Sequence, residues 1–350
     1  MKKIALMLVV VLVLFSVVSC GPKEEQSAEG PTELVISTWG YNEDILWEDV
    51  FKPFEEEHNV KIVLETGNNS ERLTKLKTNP NSTVDIMYLA EAFAQQGIDE
   101  GLFEEIDYSK LSNGEYIHPK AQYIVDRNSG PAYTLNRAAI CYDPNNVDIE
   151  INSWNDLWDP SLKGKISIPE LSTTFGPSVM YIASNKAGVD ITTDNGEAAF
   201  NELEALKPNL VKTYSRSSDL ANMFSNGEIA VAVTADFAFD RIKDAVPDAK
   251  YIDPAEGGYI NFNTINIVKG TENLDLAYEF IDYALSKEVQ DRTSKSLSES
   301  PINTQVELSE EDAAKLTYGE NVDKGNTIDY TFVNTVMNEW INTWNRILNQ

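Results

Sequence analysis

The sequence predicts an α/β protein whose sheets are built from parallel strands. Segments with strand-like and helix-like patterns alternate along nearly the whole chain, which is the order typical of this fold class. Besides Cys20 the chain has only Cys141, so no intrachain disulfide is expected in the mature protein and a hydrophobic core must stabilise the fold. The 350 residues, of which 42% are hydrophobic, are enough for two domains.

The first domain begins with three strand–helix units. Short apolar or alternating segments predict strands at 33–37, 60–64 and 85–89. Apolar residues at helical spacing predict helices at 45–58, 69–78 and 90–100. We expect a kink at Pro53, which lacks a backbone N–H, and a helix cap at Asn69 or Ser70.

A second set of strands and helices follows. The same patterns predict strands at 165–168, 210–213, 230–234, 250–252 and 259–268, and helices at 173–186, 195–206, 217–225, 237–246 and 274–285. The last helix, 333–348, carries an apolar stripe that favours packing on a domain core over a partner surface. The stripe consists of Val333, Val336, Met337, Trp340, Ile341, Trp344 and Ile347.

The N-terminal residues are typical of a targeting segment. Lys2 and Lys3 precede an apolar stretch that is too short to span a bilayer comfortably, so 1–19 is predicted to be a signal peptide. The residues before Cys20 resemble a bacterial lipobox, in which the cysteine thiol takes up a lipid. The charged segment 20–31 is then a tether to the membrane. A retained membrane anchor, or an ordinary signal peptide with a chance cysteine, is the alternative.

The charge balance excludes some partners. With 28 Lys and Arg against 56 Asp and Glu, the net charge of −28 argues against nucleic acid or anionic lipid surfaces. It favours encounter with a cationic solute, although a solvated acidic surface also serves solubility alone. Cys141 is expected to be a small buried hydrophobic residue.

Catalytic and metal-binding motifs are missing from the sequence. The chain has two histidines, His58 and His118, and no nucleophile elbow, zinc or dinucleotide motif. We therefore expect neither an enzyme nor a cofactor or metal site; few soft ligands are available for a metal. A sensory or adhesive surface lipoprotein remains an outside alternative.

Four blocks of the sequence stand out: FEEEHNVKI with NSERLTKLK (54–62 and 69–77), GLFEEIDYSKLSN (101–113), SWNDLWDPSLKGK (153–165) and PAEGGYINFNTINIVKGTEN (254–273). Together these blocks resemble the spermidine/putrescine-binding branch of the bacterial extracellular solute-binding proteins. The third block is the most specific, and the resemblance extends over nearly all of the chain after the tether.

The resemblance implies a two-lobed periplasmic-binding-protein fold, type II-like, with ligand in the cleft between the lobes. It implies two crossing hinge strands near 133–142 and 260–268. Lobe one is then 32–137 plus 266–305, and lobe two is 138–265 plus 306–350. The implied role is the substrate-binding subunit of an ABC importer. Such a subunit is expected to be a monomer outside the cytoplasm that closes on a small-molecule solute and delivers it to a permease and ATPase complex.

Residues that directly follow the strands of lobe one are the first site candidates, because ligands bind beyond the carboxyl ends of parallel strands. Trp39 and Tyr41 follow the first strand, and in the resembled family the aromatic residues here enclose an aliphatic amine. Packing at the lobe edge is the alternative. After the third strand, Phe93 is a candidate aromatic contact, and Glu91 is either a counter-charge or a residue at a helix N-terminus.

Lobe two offers two further groups of candidates. Ser172, Thr173 and Thr174 precede a helix and either hold an anionic group or cap that helix. Asp236 follows another strand and is either a ligand carboxylate or a cap.

Asn261 and Asn263 lie on the late crossing strand, where the polyamine binders carry Trp and Asp as we align them. A neutral amide both donates and accepts hydrogen bonds, so this pair argues against simple spermidine specificity. The leading ligand is a small, polyamine-like amine; a zwitterionic or anionic organic solute is the alternative.

Overall fold

The computed structural model describes residues 31–40 and 42–348. The predicted signal peptide, Cys20, nearly all of the predicted tether and Tyr41 lie outside these residues. Within them, no helix is both long and apolar enough to cross a membrane.

Ten strands of the described chain form one sheet. Along it the strand order is β2-β1-β3-β9-β4-β7-β5-β6, and both β8 and β10 pair with β4. The strands are β1 Thr32–Thr38, β2 Val60–Thr66, β3 Ile86–Ala90, β4 Ala132–Tyr142, β5 Ile166–Pro169, β6 Leu210–Tyr214, β7 Val231–Ala235, β8 Lys250–Ile252, β9 Tyr259–Ile267 and β10 Ser300–Pro301.

The sheet is mixed, which corrects the prediction of parallel sheets. Strands β1 and β3 are parallel, as are β5 with β6 and β5 with β7. Between these two parallel groups, β9 runs antiparallel to β3 and to β4, and β4 runs antiparallel to β7. The alternation of strands and helices predicted each parallel group, but local patterns carry no information on the direction of the strands that join them.

Helices cover the sheet. The α-helices are α1 Glu43–Leu46, α2 Lys52–His58, α3 Asn69–Thr78, α4 Glu91–Asp99, α5 Gln122–Asp126, α6 Gly176–Ala187, α7 Ile191–Asp194, α8 Glu197–Leu206, α9 Ser217–Ser225, α10 Phe239–Ala245, α11 Leu274–Ala284, α12 Lys287–Ser296, α13 Glu310–Lys315, α14 Glu320–Asp323 and α15 Tyr330–Leu348. Short 3₁₀ turns are Tyr108–Lys110, Gly114–Tyr116, Pro119–Ala121, Trp154–Trp158, Pro160–Leu162, Lys207–Asn209 and Asp236–Ala238.

Several helix starts and caps differ from the sequence predictions. A π-helical turn, Trp47–Phe51, separates α1 from α2 and accommodates Pro53, which has no N–H to donate. The cap of α3 is Asn68, whose side-chain oxygen accepts from the Glu71 N–H at 2.8 Å. Helix α6 begins at Gly176 and not at 173, because 170–175 forms a turn; a Cβ on Gly176 would lie 2.3 Å from the Glu170 carbonyl oxygen.

Two large hydrophobic cores lie on either side of the crossing strands. One contains residues of β1, β3, α11 and Leu135 of β4, and the other contains residues of β5, β7, α6 and Ala138 of β4. Strand β9 is divided between them, with Tyr259 in the second core and Ile260, Phe262 and Ile265 in the first. Core membership thus places the division of β9 several residues before the expected 265–266.

Two predictions about buried residues are confirmed. Helix α15 packs on the second core, with Val333, Trp340 and Trp344 fully buried. Cys141 is buried in β4 among apolar residues, and burial raises the pKa of its thiol.

Candidate functional site

A cleft of about 670 Å³ lies over the middle of the sheet. Its walls come from the segments that follow β1, β5, β6 and β7, from the strands β3, β4 and β9, and from the segment 296–299. Both lobes contribute, since Trp39 and Tyr88 belong with the first core while Phe175 belongs with the second. A concave site between lobes at strand ends is the typical position for a small-molecule ligand.

Three asparagine amides stand in a row on the crossing strands. Asn136 of β4 is the register partner of Asn261 of β9, and Asn263 lies two residues further along β9 on the same face. The Asn261 Nδ2 donates to the Asn263 Oδ1 at 3.2 Å, and the Asn263 Nδ2 donates to the Asn136 Oδ1 at 3.1 Å. All three side chains line the cleft.

A carboxylate and several aromatic residues line the lobe-one wall of the cleft. Glu299 is half-buried close to Tyr88 and Tyr133, and Trp39 packs edge-on against Tyr88 with 6.5 Å between ring centroids. Desolvation raises the pKa of Glu299 to about 7, and no hydrogen bond or cation among the described residues offsets it. The ring centroids of Tyr88 and Tyr133 are 4.9 Å apart in an edge-to-face arrangement.

The backbone around Glu299 is fixed by long-range pairing. Ser300 and Pro301 form β10, in register with Leu135 and Thr134 of β4. The Ser300 carbonyl accepts from the Thr134 hydroxyl at 2.7 Å, and its hydroxyl accepts from the Thr317 N–H at 2.9 Å. Ser298 has a φ of 54°, a left-handed conformation that is uncommon for a residue other than glycine. The Glu299 side chain is therefore presented from a defined and locally strained position.

Asp236 also lines the cleft, but its oxygens are already engaged. They accept from the backbone N–H groups of Arg137 and Phe237 at 3.3 and 2.8 Å, and from the Thr317 hydroxyl in a short hydrogen bond. The Arg137 guanidinium is buried, binds both oxygens of Asp253 at 2.5 and 3.0 Å, and donates to Thr317 at 3.0 Å. Burial raises the pKa of Asp236, whereas Thr317 and Arg137 oppose that shift.

The lobe-two wall is aromatic with charges at its edge. Phe175 and Phe237 lie 6.4 Å apart, and Phe237 is 59% exposed, the largest exposure among the prominent apolar side chains described. The charged side chains of this wall are Asp240, Arg241, Asp244 and Lys315. Together with Asp236 and Glu299, the cleft has four carboxylates against two cations. The formal balance is therefore negative.

The structure brings together half of the residues that the sequence suggested for ligand binding. The residues that line the cleft are Trp39, Thr174, Asp236, Asn261 and Asn263. All of them follow a strand or lie on a crossing strand, as the general position of such sites requires.

Four other candidates lie away from the cleft lining. Glu91 is buried at the start of α4 and accepts from the Tyr123 hydroxyl at 2.5 Å; burial raises its pKa to about 8. Phe93 packs in a minor core beneath α4. Ser172 is exposed, and the N–H and hydroxyl of Thr173 both donate to the Glu170 carbonyl, which closes the turn before α6.

Sequence reasoning missed several residues of the cleft. The most important are Glu299, Tyr88, Tyr133, Asn136 and Phe237. Tyr133 and Asn136 lie on the crossing strand and Phe237 follows Asp236, so their positions were accessible from the same reasoning. Glu299 had no local signal, because its place depends on the pairing of β10 with a strand about 165 residues earlier.

Within the described residues, no group of three or more His, Cys, Asp or Glu is arranged to hold a metal ion. The cleft chemistry consists of amides, aromatic rings and carboxylates, which suits the binding of an organic solute.

Comparisons with known proteins agree with this geometry. The family model described as "Bacterial extracellular solute-binding protein" matches residues 49–317. The crystal structure of an ABC transporter from Clostridium perfringens ATCC 13124 is 61% identical, with a TM-score of 0.87 over 90% of this chain and 99% of that chain.

Two more distant relatives carry polyamine names. The spermidine/putrescine-binding periplasmic protein of Escherichia coli K12 is 25% identical over 256 residues, 71% of this chain and 72% of that protein. The spermidine/putrescine ABC transporter substrate-binding protein of Streptococcus pneumoniae is 22% identical, with a TM-score of 0.71 over 89% of this chain and 98% of that chain. At 22% identity, the similarity to the Streptococcus pneumoniae structure supports only the two-lobed fold.

The family match spans most of the chain, and the cleft lies where a two-lobed binder holds its solute. The implied role is stoichiometric binding outside the cytoplasm, not catalysis. This chain belongs to the bacterial extracellular solute-binding proteins and is the substrate-binding protein of an ABC transporter.

Proposed function

We propose that this protein captures a small organic amine, of the polyamine-like kind, and delivers it to a membrane permease whose ATPase drives import. The observation that carries the proposal is the carboxylate of Glu299, which has no partner among the described residues and lies beside Tyr88 and Tyr133. A desolvated carboxylate is costly unless a cation offsets it, and aromatic faces attract ammonium groups. The polyamine names of the relatives support the same ligand class.

The lobe assignment expected from the sequence is part of the proposal. Lobe one is 32–137 plus 266–305, and lobe two is 138–265 plus 306–350, with β4 and β9 as the crossing strands. The separate cores on the two sides of these strands support two lobes, and the core membership of β9 favours a division nearer Tyr259 than residue 265. Closure of the lobes around an amine would bring Phe237 towards the aromatic wall at Trp39.

A zwitterionic solute is the second candidate. Arg241 lines the cleft and makes no ion pair or hydrogen bond with another described residue, so it is available to a carboxylate. The turn 172–174 gives no support to an anion, because Thr173 is engaged within that turn.

A solute panel tests the ligand class. Small primary amines are expected to stabilise the purified protein in thermal-shift titrations, by about 2.7 kcal/mol at 100 times the dissociation constant. Amino acids of matched length test the zwitterionic candidate, while the corresponding alcohols and carboxylates serve as controls. Stabilisation by carboxylates without any effect of amines would contradict the proposal.

We also propose that Cys20 carries a lipid that holds the protein to the membrane. The lipobox-like residues before Cys20 and the polar segment after it support this anchor. In cell fractionation, the wild-type protein is expected with the membranes, and Cys20→Ser is expected in the soluble extracytoplasmic fraction. Equal membrane retention of both proteins would refute lipid anchoring at Cys20.

A further inference from the structure

We infer that the solute carries, besides its ammonium group, an uncharged hydrogen-bonding group such as a hydroxyl or carboxamide, which pairs with the amide row of Asn136, Asn261 and Asn263. The inference rests on the proposed amine function and adds the chemistry of the rest of the solute.

The amide row has a direction that leaves one group free at each end. Asn261 donates to Asn263, and Asn263 donates to Asn136. The Asn261 Oδ1 is buried and has no hydrogen-bond partner. At the other end, the Asn136 Nδ2 donates to no described residue. The row therefore offers one acceptor and one donor to whatever occupies the cleft.

The free acceptor is costly in the unliganded protein. Asn261 is only 2% exposed, so its oxygen is largely shielded from bulk water. Nearly all buried polar atoms in folded proteins are hydrogen-bonded, and an unmade bond is expensive. Other orphaned atoms exist in the described chain, but among them Asn261 is the residue that lines the cleft. A donor on the solute would supply the missing partner.

The charges around the amide row determine whether a charged or an uncharged donor of the solute can bind there. The three amides are neutral, and the nearby Asp236 already accepts three hydrogen bonds and faces Arg137. A second ammonium at the row would lose its hydration without gaining a free counter-ion there. A hydroxyl or carboxamide has a much smaller desolvation cost and can both donate to Asn261 and accept from Asn136. The single ammonium group of the solute binds at Glu299.

The test compares four solutes of equal chain length by isothermal titration calorimetry on the purified protein: 1-aminobutane, 4-amino-1-butanol, 4-aminobutanamide and 1,4-diaminobutane. The amino alcohol or amino amide is expected to bind at least about tenfold more tightly than both 1-aminobutane and 1,4-diaminobutane. Tightest binding by 1,4-diaminobutane, or equal binding of 1-aminobutane and 4-amino-1-butanol, overturns the inference while leaving the amine function standing. No binding by any of the four overturns both.

Variants locate the effect at the row. Asn261→Ala is expected to abolish the advantage of 4-amino-1-butanol over 1-aminobutane, and Asn261→Asp to shift the preference towards 1,4-diaminobutane by supplying a carboxylate. Asn266→Ala is the matched control, since Asn266 is a buried amide of β9 that lies outside the cleft lining. It is expected to lower the melting temperature without changing the order of the four affinities. A wild-type order of affinities in Asn261→Ala contradicts the inference.

Discussion

Replacement of Glu299 by glutamine is expected to weaken the binding of a small amine such as 4-amino-1-butanol by about a hundredfold. The substitution keeps the size of the side chain but removes the negative charge near Tyr88 and Tyr133. Loss of one member of a desolvated ion pair typically costs about 2–5 kcal/mol of binding free energy. Isothermal titration calorimetry of both proteins measures the change directly.

The pH dependence of binding provides the internal check on Glu299. Burial raises the pKa of this carboxyl to about 7, while the amine of the solute stays protonated well above that pH. The ionised carboxylate therefore becomes scarce as the pH falls, and wild-type affinity is expected to be about tenfold lower at pH 6 than at pH 8. The Glu299→Gln variant should show no such dependence.

A matched control separates this local charge from the general acidity of the protein. Glu272 is exposed and does not line the cleft. Glu272→Gln removes one charge and is expected to bind as the wild type does. If Glu299→Gln binds the amine as tightly as Glu272→Gln does, Glu299 is not the seat of the ammonium group.

Replacement of Arg137 by alanine is expected to destabilise the protein by about 3–5 kcal/mol. Arg137 is 5% exposed, and its guanidinium connects β4 with Asp253 and with Thr317, which itself binds Asp236. Truncation leaves the buried Asp236 and the half-buried Asp253 without a nearby cation, which costs more than the ion pair contributes when intact. Chemical denaturation followed by circular dichroism gives the free energy of unfolding.

Two further variants test the cause of that loss. Arg216→Ala removes an exposed arginine and is expected to change stability by no more than about 0.5 kcal/mol. Adding Asp253→Asn to Arg137→Ala should recover part of the stability, because it removes one stranded charge. Loss of less than about 1 kcal/mol in Arg137→Ala would show that the network contributes little.

Much of the fold could be predicted from local sequence patterns, because the spacing and number of apolar residues identify individual strands and helices. Helix α9 and strand β8 were predicted with their observed bounds. The direction of the middle strands was not predictable in this way, since β4 and β9 pair across more than a hundred residues. The cap of α3 was misplaced by one residue because the tripeptide Asn68-Asn69-Ser70 offers three suitable side chains.

Site residues could be predicted from the sequence only where a residue that follows a strand also lies in the cleft. Trp39 and Asp236 follow strands directly, and the ends of neighbouring strands meet at one edge of the sheet. Glu91 has the same sequence position after β3, yet its side chain turns towards Tyr123 and not into the cleft. Glu299 follows a helix and precedes a two-residue strand, so neither periodicity nor position after a strand identifies it.

The amide row also bears on how such a binder can diversify. Asn136 and Asn261 are register partners whose strands are held together by main-chain hydrogen bonds, and these bonds do not depend on side-chain identity. The apolar side chains that stabilise β4 and β9, such as Leu135 and Phe262, alternate with the amides and point into the cores. The residues that determine solute preference and the residues that pack the cores thus lie on opposite faces of the same two strands. A single substitution on the cleft face can therefore change which solute is bound, while the pairing and core packing of the two strands stay the same.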